Sequence, residues 1–179
     1  MTEPKIVLES ERLIFRRLVP TDLDTLDALY RDPEVSRFIP DAPTTLAETR
    51  EELEWHEHGH PEFPELGLWA TIERSSQRFI GRCGLLPWTI DDQHEVEIAY
   101  LLARDRWGHG LGAEAAAAIR DHAFDALGLE RLIALVDPEN AASIGVARKT
   151  GMHLEREVDG IAGDNIPTLI FAMARRDLS

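Results

Sequence analysis

From Arg106 to Glu114 the chain reads Arg-Trp-Gly-His-Gly-Leu-Gly-Ala-Glu, with glycines at 108, 110 and 112. Residues without a Cβ reach dihedrals closed to others, so a segment of this composition can turn successive backbone N–H groups inward. A helix starting behind it adds unpaired donors and the positive end of its dipole. That is chemistry for holding phosphate. Just upstream, Glu95 and Glu97 alternate with Val96, Ile98 and Tyr100. A carboxylate so placed is a candidate proton acceptor, and equally an ordinary residue on the wetter face of a strand. Downstream, Asn140 and Ser143 stand at the start of a helical stretch, where either could cap the first turn and Ser143 could deliver a proton.

Two other constellations compete. Gly108-x-Gly110-x-x-Ala113 satisfies the dinucleotide fingerprint, and Asp137 closes the next strand where a ribose-binding acid would stand. Against it, residues 103–107 separate the strand from the first glycine, and the alternating carboxylates do not suit a strand buried on both faces. His56-Glu57-His58-Gly59-His60 has histidines one helical turn apart with a glutamate between, as a zinc hydrolase requires. Gly59 and Pro61 break the helix at the second histidine and no third ligand is evident, so no metal is expected. Cys83, between Gly81 and Gly84, reads as a small strand residue rather than a nucleophile.

The elements that must position these residues follow from periodicity. Strands are expected at residues 12–18, 66–73, 78–86, 94–102, 131–136, 152–158 and 167–175. Residues 74–77 form a hairpin loop, and Pro87 is expected to end the strand that follows it. Helices are expected after Pro20-Thr21-Asp22, with Thr21 as cap, and from Thr44 or Thr45 to about His58. Two more run over 113–127, closed by Gly128, and over 140–150, closed by Gly151. Strands and helices so interleaved pack as one mixed α/β sheet, and residues 1–179 read as a single domain.

Composition narrows the setting. With 33 acidic and 19 basic residues the formal charge is −14, which argues against nucleic acid and against an anionic membrane surface. No apolar run reaches membrane-spanning length, and one cysteine permits no intrachain disulfide, so a cytoplasmic protein is expected.

Taken in order, several of these pieces resemble one family. Trp107-Gly108-His109-Gly110-Leu111-Gly112, Phe79-Ile80-Gly81-x-x-Gly84, Asn140-x-x-Ser143-Ile144 and Lys149-x-Gly151-Met152 are similar to signatures of the GNAT superfamily of acyl-CoA-dependent N-acetyltransferases. The opening Glu11-Arg12-Leu13-Ile14-Phe15-Arg16, then Asp22 and Asp32-Pro33-Glu34-Val35, resembles the branch that holds the ribosomal-protein N-terminal acetyltransferases. That branch also accounts for Trp107 where the wider family carries Gln or Arg.

The resemblance implies a mostly antiparallel twisted sheet of about seven strands flanked by helices, splayed between the fourth and fifth. It implies acetyl-CoA as donor and no metal. Its pyrophosphate would lie on the N–H groups of Gly108, His109, Gly110, Leu111, Gly112 and Ala113, with Trp107 in the loop and Arg104 and Arg106 as added cations. Ala99, Tyr100, Leu101 and Leu102 would face the pantetheine arm and thioester, an N–H near Tyr100 or Leu101 polarising the carbonyl, and Asn140 would contact the arm. Glu97 is the candidate base, Glu95 the second. The family's proton-donating tyrosine lies two helical turns beyond the asparagine; that position is Ala147, leaving Ser143 as the nearest replacement. The acceptor, an amine on a peptide N-terminus or a small cationic molecule, would enter between residues 32–65 and 159–167. Asp41, Glu48, Glu51, Glu52, Glu54, Glu57, Glu62 and Glu65 there outnumber Arg50. A monomer or homodimer fits this family, and so does a CoA-binding sensory module that has lost the chemistry.

Overall fold

A computed structural model describes residues 4–161 and 164–178. It contains one sheet in the order β1-β2-β3-β4-β5-β6-β8-β7, formed by β1 (Ile6–Glu9), β2 (Leu13–Arg16), β3 (Gly67–Glu73), β4 (Arg78–Ile90), β5 (Gln93–Leu102), β6 (Arg131–Val136), β7 (His153–Val158) and β8 (Thr168–Ala174). The helices are α1 (Leu23–Arg31), α2 (Pro33–Ser36), α3 (Leu46–Glu57), α4 (Leu111–Asp121) and α5 (Ala141–Lys149). Neighbouring strands pair antiparallel except β5 and β6. Those two run parallel and meet at a single register pair, Glu97 opposite Ile133. The expected splay therefore lies between β5 and β6.

The sheet holds eight strands where about seven are expected. The added one is β1, an edge strand whose pairing with β2 slips between Ile6 and Leu8. So short an apolar run carries almost no periodicity to read. Pro87 does not end β4, which continues to Ile90 with Pro87 opposite Val96. Since β3 ends opposite Leu85, one edge of β4 is free beyond that point, and a residue without an N–H costs little there. Thr21 does not cap α1; it lies in a 3-10 turn over Pro20–Asp22, and the Asp22 carboxylate takes up the Val19 N–H and the Arg16 guanidinium.

Other local signals are met. Thr45 caps α3 in a reciprocal box with Glu48. A π-helical turn over His122–Ala126 extends α4, and Gly128 follows with φ 69°.

Alternation along the central strands divides the interior. Trp69, Cys83 and Tyr100 lie opposite one another on neighbouring strands and face the layer of α4 and α5. Ala70, Arg82 and Leu101 face the other way, toward Leu26, Tyr30 and Leu53 of α1 and α3. Each large apolar side chain fully buried here, such as Phe15, Phe124 or Leu85, contributes roughly 1.5–3 kcal/mol. The sheet is thus covered on both faces, and the gap between β5 and β6 opens into a cavity of about 2060 Å³.

Candidate active site

The glycine loop is shaped as its composition requires. Gly108 and Gly110 take φ values of 78° and 77°, in the left-handed region, and Gly110 caps α4. The first hydrogen bond into the helix runs from the Glu114 N–H to the Gly110 carbonyl. Among the described residues, none of the successive N–H groups of Gly108, His109, Gly110, Leu111, Gly112 and Ala113 donates to a protein acceptor. Such a row of unspent donors at a helix start fits a pyrophosphate. The Trp107 indole N–H donates to the Leu102 carbonyl at 2.8 Å and so ties the loop to the end of β5. Behind the loop, Glu114 accepts from Ser10 Oγ and from the Arg12 backbone and guanidinium, and Arg12 also donates to the His109 carbonyl.

Two cations expected here divide. Arg106 lines the cavity, with ion pairs to Glu73 and Asp105. Arg104 is exposed and lines a separate hollow beside Thr25 and Ala28. Arg12 brings its guanidinium to the loop instead, and the motif that contains it gives no sign of that contact.

Eleven residues before Gly108, Glu97 occupies the point where β5 and β6 part. Its Oε2 accepts the Trp88 indole N–H at 2.7 Å. Burial pushes its carboxyl up to about 7, against the opposing pull of Trp88, the Arg82 charge and the Leu135 N–H. A carboxyl so poised can take a proton near neutral pH. Glu95 differs. It is held by Arg131 at 3.0 Å, and Arg131 also grips Glu155.

Across the gap, the Tyr100 hydroxyl lies 2.7 Å from Ser143 Oγ and 3.1 Å from the Ser143 carbonyl. Asn140 caps α5 through the Ser143 N–H at 3.0 Å, which fixes the serine in the first turn. Burial pushes the Tyr100 phenol up to about 12, so it carries its proton throughout the neutral range. Ala99, Tyr100, Leu101, Leu102, Asn140 and Ser143 all line the cavity shared with the glycine loop and Glu97.

A family model described as "Acetyltransferase (GNAT) domain" matches residues 12–153. The chain belongs to the GNAT acetyltransferase family. A Bacillus subtilis relative, the uncharacterized protein YkkB, is 34% identical over 155 residues, covering 86% of this chain and 89% of its own. A solved GNAT-family acetyltransferase from Bacillus anthracis superposes with TM-score 0.81 at 23% identity, over 94% of this chain and 98% of that one. RimL, a ribosomal L7/L12 alpha-N-protein acetyltransferase solved with coenzyme A, has TM-score 0.76 at 18% identity, over 95% and 98%.

This GNAT acetyltransferase builds its remaining wall from α1, α3 and β4. Arg82 is buried; its Nε donates to the Tyr30 hydroxyl at 2.7 Å, and Tyr30 donates to Glu52 at 2.6 Å. Tyr30 and Arg82, absent from the sequence-level candidates, signal nothing locally. His56 is buried, and its Nδ1 accepts the Leu68 N–H at 3.2 Å. Burial and the Arg82 charge push its pKa down to about 4, so it is neutral. His60 lies beyond the end of α3, its ring tilted against that of Trp55 with centroids 5.1 Å apart. No cluster of metal-ligating side chains occurs among the described residues. Burial raises the Cys83 thiol to about 11, in keeping with its reading as a strand residue. Of the expected entrance at 159–167, Ala162 and Gly163 lie outside the described residues; Ile161, Asp164, Ile166 and Pro167 line the cavity.

Proposed function

We propose that this acetyltransferase moves the acetyl group of acetyl-CoA directly onto a primary amine within a ternary complex, with residues 1–179 acting as one catalytic domain. The observation that carries the reading is the position of both halves of the chemistry on β5. Glu97 stands at its divergence from β6, and the row of unspent N–H groups follows its end. Those donors and Arg106 neutralise the pyrophosphate of the donor substrate, which an acidic protein would otherwise repel. Main-chain groups of Ala99–Leu102 flank the pantetheine arm, and an N–H near Tyr100 or Leu101 stabilises the oxyanion.

Glu97 accepts the proton that the amine loses as its nitrogen bonds to the acetyl carbon. As the C–S bond breaks, Ser143 donates its hydroxyl proton to the thiolate, Tyr100 replaces it across 2.7 Å, and solvent water returns a proton to the phenol. Tyr100 reaches this position from the sheet, so Ala147 on the helix can remain small. Asn140 holds Ser143 in place through its cap. The acidic residues Glu34, Asp41, Glu48, Glu51 and Glu54 around the mouth attract the positive charge of an ammonium-bearing acceptor. Thiol release from acetyl-CoA, measured with and without amines and N-terminal peptides, tests the reading. Acceptor-dependent release is expected; coenzyme A binding without it would leave only a binding module.

A further inference from the structure

Arg82 is a guanidinium that the fold buries without using up. Its side chain is 9% exposed, and one nitrogen, Nε, is fixed by the Tyr30 hydroxyl and lies 3.6 Å from Glu52. Among the described residues neither terminal nitrogen has a hydrogen-bond acceptor, and neither is sealed from solvent. The side chain lines the cavity that also holds Glu97. Tyr30 and Glu52 therefore orient the head, and the remaining donors of the fork open toward the space where the acceptor must lie.

Register sets the span. Arg82 lies opposite Leu101 and Leu86 opposite Glu97, so Arg82 and Glu97 project from the same face of the sheet, four residues apart along it. That is roughly 13 Å between backbone positions. Two long side chains and a small bifunctional molecule fill such a distance, and the Arg82 charge is felt at Glu97. Two adjacent terminal nitrogens match the two oxygens of a carboxylate. A polyamine would bring a second cation against Arg82, while a phosphate would have to pass the acidic mouth with its full negative charge. A molecule carrying ammonium and carboxylate together avoids both costs.

We propose that Arg82 binds a carboxylate of the acceptor, so that the amine acetylated belongs to an amino-acid-like zwitterion with its nitrogen presented to Glu97. This rests on the transferase reading and adds the acceptor's chemical class. The rival account, Arg82 as a tie between β4, α1 and α3, predicts no dependence on the acceptor's carboxylate.

The test pairs L-α-amino acids with the amines that lack only their carboxylate. For the wild type, KM for the acid should lie about 10- to 100-fold below that for its matched amine. Arg82→Met should abolish that difference while coenzyme A affinity stays unchanged, and Arg82→Lys should retain part of it; thermal unfolding checks that each variant is folded, and Arg82→Lys carries the test if Arg82→Met is not. Equal KM values in the wild type, or a loss in Arg82→Met that is the same for acid and amine, would overturn the proposal. Calorimetric titration of the amino acids into coenzyme A-saturated protein separates the two readings. Binding lost in Arg82→Met supports the carboxylate site even without turnover, and binding that survives the change, or is absent from the wild type, rejects it.

Discussion

Trp88 and Glu97, on adjacent strands β4 and β5, are joined by an indole-to-carboxylate hydrogen bond of 2.7 Å at the mouth of the splayed gap. The contact holds the carboxylate toward the cavity and stabilises its charged form, partly offsetting the cost of burial. Trp88→Phe keeps the ring and removes the donor. Glu97 should then titrate above about 7, and the acid limb of the kcat/KM profile should move to higher pH. A limb that stays in place would detach Trp88 from the base.

The same burial sets a stability cost. The Glu97 carboxyl rises from its ordinary 4.5 to about 7, so the folded state binds this proton more tightly than the unfolded state. Its contribution is fully present below pH 4.5 and is lost as pH rises through 7, by an amount on the order of 2–3 kcal/mol. Glu97→Gln removes that loss. The variant should melt higher than wild type at pH 8, with the gap closing toward pH 4.5, while turnover falls and coenzyme A affinity holds. Equal melting at pH 8 would mean the carboxylate is not desolvated.

Tyr100 and Ser143 act in the proposed proton path as one unit. Tyr100→Phe and Ser143→Ala should each lower kcat by roughly 10²-fold with little change in coenzyme A affinity. Because they share a path, the double variant should cost little more than the worse single one. Additive losses in steady-state rate would separate the two side chains.

The phosphate seat is best probed at Gly108. A Cβ there meets nothing within 4 Å, and aspartate tolerates the left-handed φ of 78° better than most residues. Gly108→Asp should leave the fold intact and weaken coenzyme A binding by at least tenfold, through charge placed against the pyrophosphate. Gly110→Asp is a poorer probe, since its Cβ would lie 3.7 Å from Arg12 Nη2, which would offset the added charge. Unchanged affinity in a folded Gly108→Asp protein would move the phosphate seat elsewhere.

What the sequence made legible was local. The strand Arg131–Val136, the Thr45 and Gly128 caps and the glycine turn each depend on residues within a few positions of one another. The partners that shape the cavity are far apart in the chain: Arg12 and Glu114 by 102 positions, Arg82 and Tyr30 by 52, Tyr100 and Ser143 by 43. No periodicity reports such contacts, because they arise only when the sheet assembles. Glu97 stood between the two cases. Alternation marked it, but the same alternation would mark a surface glutamate, and only its place at the parting of β5 and β6 distinguishes the two.

We propose that this cavity transfers an acetyl group to an amine with Glu97 taking the proton. The measurement that tests it most directly is the pH dependence of acceptor-stimulated thiol release from acetyl-CoA, in wild type and Glu97→Gln. Release should require the amine, rise through about pH 7 in the wild type, and lose that limb in the variant. Coenzyme A binding with no acceptor-stimulated release, or a profile the substitution leaves unchanged, would contradict it.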